Sequence, residues 1–291
     1  MNEQPIVFRS QDCWLTGMIH HTCDNTKTLQ QGVIIVVGGP QTRVGSHRQF
    51  VLLARYLARN GINVMRFDYA GIGDSEGKDG DFLTAHHDLD AAITQFQLSC
   101  PTVAAISLWG LCDAASVILL YFSQYQSPKI RHLILLNPWV EQRQSKAKVL
   151  LRHYYLNKML SKVLWQKMIA GKFDFGAAIK GLVSTFNKIY SRPTATVNVV
   201  ATDHKTLFTQ DNFVGYMQQG LAKFSGSASL ILSEHDLVAK EFEALIVDNE
   251  KWRQLVKNKV VTRLRVTQAN HTFSSATWRE AVEKFTLENV K

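Results

Sequence analysis

The stretch "LWGLCDAAS", residues 108–116, places a cysteine between two kinds of secondary structure. The run before the cysteine, "TVAAISLWG", is typical of a buried strand, and "DAASVILLYFSQY" after it predicts a helix. Gly110 and Ala114 lie two residues to either side of Cys112, and a sharp strand-to-helix turn needs small residues there. Because such a turn lifts the central side chain above the sheet edge, Cys112 is a candidate nucleophile. A small buried cysteine without a chemical role is the alternative.

The alternation of strand and helix continues outward from this turn. Further strands are predicted in "GVIIVVGG" (32–39), "INVMRFDYAG" (62–71) and "RHLILLNPW" (131–139), with helices over 47–60 and 82–99 between them. Short connections between alternating strands and helices predict a mostly parallel sheet that is covered by helices on both faces. Two β-rich stretches at the start of the chain, 5–10 and 13–22, predict a hairpin.

The alternating pattern stops near residue 141 and returns near residue 226. Between them the apolar residues follow helical spacing, which predicts a helical cap inserted at 141–225 into one domain formed by 1–140 and 226–291. After the cap the sequence predicts a strand over 228–236, a single helix near 240–256, a strand over 259–271 and a helix over 275–290.

A catalytic thiol requires a base, and the base requires an acid that orients it. Asp236 stands at the end of one predicted strand, and His271 follows the last one. The order Cys112, Asp236, His271 is the nucleophile, acid, base order of the α/β-hydrolase fold. All three side chains belong to the carboxyl ends of strands, where open α/β sheets carry their sites. Glu141, after the strand at 131–139, is the alternative acid.

Acyl transfer also needs backbone N–H groups that bind the oxyanion. The first expected donor is the N–H of Asp113, and the second belongs to the loop after the strand at 32–39. Pro40, which has no N–H, stands where that donor often lies, so Gly39 and Gln41 are the candidates. The Asp113 side chain can cap the following helix or contact substrate. Three basic residues of the loop are candidates for binding an anionic substrate group, with ordinary loop contacts as the alternative: Arg43, His47 and Arg48.

The composition limits the classes of partner. The 291 residues carry a net charge of +9, and no apolar run is long enough to span a membrane. The N-terminal residues resemble no signal peptide, so a cytoplasmic protein is expected. Four scattered cysteines without metal-ligand spacing predict no disulfide framework and no zinc site. No cofactor is expected. Residues 142–173 contain basic but no acidic residues and could contact an anionic membrane or an acidic carrier, although a solvated helix face explains them equally. No nucleic-acid-binding motif is found.

"FDYAGIGDSEG", residues 67–77, resembles the D-x-x-G-x-G-x-S-x-G loop of the α/β-hydrolase superfamily. Together with "VGGPQTRVGSHRQFVLLARYLARNGINVM" and "GLCDAAS", it resembles the exosortase A system-associated hydrolase 1 family of bacteria that make PEP-CTERM proteins and exopolysaccharide. The resemblance implies a cytoplasmic hydrolase-like protein with Cys112 as nucleophile and with Asp236 and His271 in matching places. It implies no particular substrate.

The expected activity is hydrolysis of a small or carrier-bound ester or thioester through an acyl-cysteine. An acyl-cysteine also passes its acyl group to amines, thiols or alcohols, so acyltransferase activity is an alternative. The other alternative is a non-catalytic binding protein with a hydrolase fold.

Overall fold

The structure is a computed structural model that describes residues 2–22, 30–39, 41–78, 81–140 and 207–291. Its described residues form one eight-stranded sheet. Its strands are β1 (Asn2–Ser10), β2 (Cys13–His21), β3 (Gln31–Val36), β4 (Asn63–Phe67), β5 (Ala105–Leu111), β6 (Ile130–Leu136), β7 (Ser227–Ser233) and β8 (Val260–Val266). They pair in the order β1-β2-β4-β3-β5-β6-β7-β8. β1 and β2 form the predicted hairpin, β2 is antiparallel to β4, and every other pair is parallel.

The helices of the described residues connect these strands. They are α1 (Gln49–Arg59), α2 (His86–Ser99), α3 (Asp113–Gln124), α4 (Phe213–Lys223), α5 (Leu237–Asp248), α6 (Glu250–Lys259) and α7 (Ala276–Val290), with a short 3₁₀ helix at Ser46–Arg48. The predicted α/β-hydrolase fold, with a mostly parallel sheet between helices, is confirmed.

Alternate residues of the central strands explain why both faces are covered. Val33 and Ile35 of β3 belong to one apolar cluster, which includes residues of α1 and α7. Ile34 and Val36 belong to a second cluster, which includes residues of α2, α3 and α4. Because a strand buried on both faces needs no polar side, β3 and β5 appear in the sequence as continuous apolar runs.

The region after β7 differs from the prediction of one helix near 240–256. Two helices occupy it, and the break falls at Asn249, whose extended backbone (φ −119°, ψ 114°) ends α5. The Asn249 side chain accepts a hydrogen bond from the N–H of Trp252 at 3.2 Å and so caps α6. The prediction was wrong because the apolar spacing continues across a capping residue that starts a new helix.

The predicted cap falls mainly on residues 141–206, which lie outside the described residues, so that assignment stays a prediction. The remainder of the segment contains α4, which packs against α3. A Cβ atom on Gly220 would lie only 1.8 Å from the carbonyl oxygen of Leu119, so the two helices approach as closely as glycine permits.

Within the described residues, no helix is long and apolar enough to cross a bilayer.

Candidate active site

Cys112 occupies the turn between β5 and α3 in a conformation that L-residues rarely adopt. Its φ of 64° and ψ of −125° put it in strained backbone at the apex of the turn. A Cβ atom on Gly110 would lie 2.8 Å from the backbone carbon of Ala114, so the start of α3 approaches β5 too closely for a larger residue. The small residues quoted from the sequence are therefore required by the turn, as a nucleophile elbow needs.

Backbone hydrogen bonds hold the apex in place. The N–H of Cys112 donates to Leu136 at 2.9 Å and extends the pairing of β5 with β6. The carbonyl of Cys112 accepts from Ala115 at 3.1 Å and from Trp139 at 3.2 Å. The strain is thus supported by the sheet on one side and by the helix on the other.

Asp236 and His271 lie together, as the chain order predicts. The Oδ2 atom of Asp236 is 2.8 Å from Nδ1 of His271. Asp236 is only 7% exposed and also accepts hydrogen bonds from the N–H groups of Val238 and Ala239 at the start of α5. An Nδ1–H that donates to a buried carboxylate leaves Nε2 of His271 as the basic nitrogen, which is the arrangement of a catalytic acid and base.

Asn137, which the sequence analysis did not select, positions the histidine loop. Its side-chain amide donates to Ser233 Oγ at 2.8 Å and to the carbonyl of His271 at 3.2 Å, and its Oδ1 accepts from the N–H of Ser233 at 2.9 Å. Asn137 is fully buried and has a positive φ of 41°. The sequence placed Asn137 inside the predicted strand 131–139 and gave no signal of its role, since its partners come from distant segments.

The electrostatic surroundings keep the Cys112 thiol protonated. Burial, followed by the negative charge of Asp113, raises the pKa of the thiol to about 12, and Asp236 acts in the same direction. The N–H of Asp113 opposes these effects by donating to the sulfur. Among the described residues, no hydrogen bond joins the sulfur to His271. A thiolate–imidazolium pair of Cys112 and His271 is therefore disfavoured in the free protein.

The loop after β3 brings one of the two predicted oxyanion donors to the elbow. The N–H of Gly39 points at Asp113 and donates to its Oδ2 at 2.6 Å. The N–H of Gln41 instead donates to the carbonyl of Gly38 at 3.3 Å, within the loop itself. Of the two candidates, Gly39 thus faces the nucleophile turn. Pro40 and the alternative acid Glu141 lie outside the described residues.

The three basic residues proposed for substrate binding have different surroundings. Arg43 is half-buried and forms ion pairs with Asp68 and Asp74 of the loop after β4. His47 and Arg48 are exposed, and both have positive φ at the start of α1. The Arg43 guanidinium thus fastens two loops together, and none of the three side chains has a hydrogen bond to the Cys112, Asp236 and His271 group within the described residues.

A cavity of about 200 Å³ adjoins the elbow and is lined by Gly39, Tyr69, Asp81, Phe82 and Asp113. Phe82 also packs edge-on against Trp139, with ring centroids 5.0 Å apart. In the described part of the chain, no group of three or more His, Cys, Asp or Glu side chains could hold a metal ion.

The comparisons with known proteins concern the family and the fold. Residues 30–203 match the family described as "Serine aminopeptidase, S33". No curated protein sequence matches the chain. The matched region contains the elbow and the loops after β3 and β4.

Solved α/β hydrolases share the fold at low sequence identity. An esterase of Pyrococcus furiosus is 16% identical, with a TM-score of 0.61 over 99% of this chain and 91% of the other. A serine hydrolase homologue from Coxiella burnetii is 14% identical, with a TM-score of 0.58 over 100% and 99% of the two chains. Est1E from Butyrivibrio proteoclasticus, solved with ferulic acid, is 16% identical, with a TM-score of 0.60 over 97% and 98%. At this identity the likeness concerns the fold.

Proposed function

Because the chain belongs to the α/β-hydrolase family described as serine aminopeptidase, S33, we propose that it hydrolyses an ester or thioester with Cys112 as the nucleophile. The family description names serine, whereas this chain carries cysteine at the apex of the elbow. The nearby Ser116 is buried in α3, where its hydroxyl donates to the carbonyl of Trp139 at 2.6 Å. Of these two residues, Cys112 is therefore the candidate nucleophile, because it lies at the apex of the turn.

The observation that carries the proposal is the 2.8 Å contact between Asp236 and His271 at the same sheet edge as the strained Cys112. A cysteine with only a structural role would not require the positive φ of Cys112. A histidine with only a surface role would not require a buried carboxylate such as Asp236 beside its imidazole. Strain of this kind persists where a function requires it.

The reaction follows from the positions of these groups. Nε2 of His271 removes the proton of the Cys112 thiol as the sulfur attacks the substrate carbonyl carbon. The N–H groups of Asp113 and Gly39 bind the oxyanion. The tetrahedral intermediate expels the leaving alcohol or thiol, which takes the proton from His271, and an acyl-cysteine remains. His271 then deprotonates a water molecule, whose oxygen attacks the thioester and releases the carboxylic acid with the thiol restored.

Transfer of the acyl group to an amine, thiol or alcohol is the second candidate. The same acyl-cysteine is its intermediate, and a thioester is reactive toward such acceptors. Three further proposals rest on the sequence alone and apply to either activity. They are a cytoplasmic location, an exosortase-associated role, and docking of the basic segment 142–173 on an anionic membrane or an acidic carrier.

Acyl labelling with peptide mapping tests the nucleophile and the base together. The protein is incubated with a butanoyl benzyl thioester, and labelled peptides are identified by mass spectrometry for wild type, Cys112→Ala and His271→Ala. Cys13→Ala is the matched control, because Cys13 is also a half-buried free thiol. We expect a hydroxylamine-labile acyl group on Cys112 that forms about 100-fold more slowly or worse without His271.

The outcomes separate the candidate functions. Acyl label on Cys112 that disappears in water supports the hydrolase, and label that disappears only when an amine or thiol acceptor is added supports the transferase. A Cys112 that is never acylated would overturn both and leave the non-catalytic binding protein.

A further inference from the structure

The Asp113 carboxylate occupies a hydrogen-bond donor that the reaction needs. Its Oδ2 atom accepts from the N–H of Gly39 at 2.6 Å, a short contact of the kind that a charged acceptor makes. This N–H is one of the two groups that the mechanism above assigns to the oxyanion. In the free protein it therefore already has an anion as its partner, and a substrate oxygen has to replace that anion.

The loop after β3 fits closely against the elbow at this contact. A Cβ atom on Gly38 would lie 2.2 Å from Oδ1 of Asp113 and 2.7 Å from the carbonyl oxygen of Leu111. Because a larger residue at position 38 would push the loop away, glycine allows the N–H of the next residue to reach the carboxylate. Asp113 itself is the first residue of α3, so the backbone fixes both partners of the contact.

Backbone groups alone hold the carboxylate in this place. Burial raises the pKa of Asp113, and the N–H groups of Gly39, Ala114 and Asp113 itself oppose this shift by donating to the carboxylate. Its Oδ1 atom is buried and has no hydrogen bond among the described residues, where no lysine or arginine forms an ion pair with it either. Two of the three N–H groups that stabilise the carboxylate are thus the proposed donors to the oxyanion.

The same negative charge acts on the nucleophile. Asp113 follows Cys112 directly, and its charge is the second cause, after burial, that raises the pKa of the Cys112 thiol to about 12. Because the thiolate is the reactive form of cysteine, a thiol that stays protonated attacks slowly. One side chain therefore weakens both the nucleophile and the oxyanion donor of the acylation step.

We propose that Asp113 is an autoinhibitory residue that closes the oxyanion hole of the free protein. Acylation proceeds only when the carboxylate leaves the N–H of Gly39 and the substrate carbonyl oxygen takes its place. Asp113 borders the cavity of about 200 Å³ beside the elbow, which offers volume for the displaced carboxylate. The N–H groups of Gly39 and Asp113 then stabilise the oxyanion as it forms. This inference rests on the proposed function and concerns the regulation of the same site.

Removal of the carboxylate tests the proposal, because a blocked site becomes faster, whereas loss of a merely structural side chain slows a reaction. Asp113→Ala and Asp113→Ser are compared with the wild type in the acylation of Cys112 by butanoyl benzyl thioester, followed by mass spectrometry. We expect the second-order rate constant to rise by roughly 10- to 100-fold, which corresponds to one hydrogen bond to a charged group.

Two further reagents separate the blocked donor from the charge. Iodoacetamide alkylates the Cys112 thiolate without forming an oxyanion, so acylation should rise by a larger factor than alkylation. Butanal does use the oxyanion donors: the sulfur adds to its carbonyl carbon, and the thiol proton moves through His271 to the carbonyl oxygen. Because the thiohemiacetal oxygen lies at the N–H of Gly39, the inhibition constant of butanal should fall in both variants.

Glu250→Ala is the matched control. Glu250 is an acidic residue in the first turn of α6, as Asp113 is in α3, but it is exposed and lies past the end of α5 that is distant from Asp236. Its removal should leave the acylation and alkylation rates unchanged, and circular dichroism verifies that each variant folds.

The outcomes distinguish this inference from the proposed function. Acylation that does not rise in either Asp113 variant, a rise that alkylation matches, or an unchanged inhibition constant of butanal would overturn the inference, while acylation of Cys112 in the wild type still supports the proposed function. Absence of acylated Cys112 in the wild type and in both variants would instead refute the proposed function itself.

Discussion

Replacing Asn137 with alanine should separate the stability of the protein from the position of its catalytic base. The substitution removes three hydrogen bonds, two to Ser233 and one to the carbonyl of His271. At about 1 kcal/mol for each bond, the free energy of unfolding should fall by about 3 kcal/mol. For a chain of this size that corresponds to a Tm lower by about 6–12 °C.

The same change frees the His271 loop, so acylation of Cys112 should slow as well. A displacement of the imidazole by an ångström is sufficient for a loss of about 100-fold in kcat, with little change in KM, because the substrate contacts remain. The assay is acylation by the butanoyl benzyl thioester at a temperature well below the Tm of the variant, where all of the protein is folded.

Asn289→Ala is the matched control for this prediction. Asn289 also makes three side-chain hydrogen bonds, with Ser229, Thr262 and Phe285, near the amino ends of β7 and β8 and thus away from the site. It should lower the Tm by a similar amount and leave the rate of acylation unchanged. If Asn137→Ala acylates as fast as Asn289→Ala, Asn137 serves only stability, and the argument for its positioning role is refuted.

Three further predictions concern the elbow, a buried histidine and the thiol. Gly110→Ala should destabilise the protein by about 2–4 kcal/mol because the new Cβ atom would collide with the backbone of Ala114. Gly215→Ala in α4 should stabilise it slightly, because a Cβ atom there has no neighbour within 4 Å. Chemical denaturation measures the free energy of unfolding of both variants, and equal effects would contradict the packing argument. Burial lowers the pKa of His132 to about 4, so its contribution to stability is present above the ordinary value of 6.5 and is lost as the pH falls toward 4. The unfolding free energy of His132→Gln should therefore fall less than that of the wild type over this interval, and an unchanged slope would contradict the assignment. Because the pKa of Cys112 is raised to about 12, iodoacetamide should modify it more slowly than Cys13 near neutral pH; peptide mapping that finds Cys112 modified first would show a stabilised thiolate instead.

The elbow could be predicted from the sequence because all of its constraints are local. An apolar strand, small residues two positions either side of Cys112 and a following helix lie within one short stretch. The pairing of Asp236 with His271 required one further premise, that parallel strands end at the same edge of the sheet. Because β7 and β8 are parallel neighbours, the residues after them lie at the same edge of the sheet. The acid and the base could therefore be predicted from the sequence.

The contacts that the sequence did not reveal depend on three-dimensional packing. Asn137, directly after β6, joins the last residue of β7 to the loop after β8, and nothing adjacent to it in the chain indicates those partners. Arg43 carries the charge expected of a substrate-binding residue, yet it pairs with Asp68 and Asp74 because the loop after β4 folds against it. Residue type alone could not decide between a free cation and an internal ion pair.

The Asp113 carboxylate has two effects on the site, and both follow from its negative charge and its position. It occupies the N–H of Gly39, and it contributes to the raised pKa of the Cys112 thiol. A change that neutralises Asp113 would therefore weaken its hydrogen bond with the N–H of Gly39 and also make the Cys112 thiol easier to deprotonate. Asp113→Asn distinguishes the two effects, because the amide removes the charge but can still accept from the N–H of Gly39. Faster alkylation of the thiol without faster acylation by the butanoyl benzyl thioester would show that the occupied N–H limits acylation. A parallel rise in both rates would show that the charge limits it.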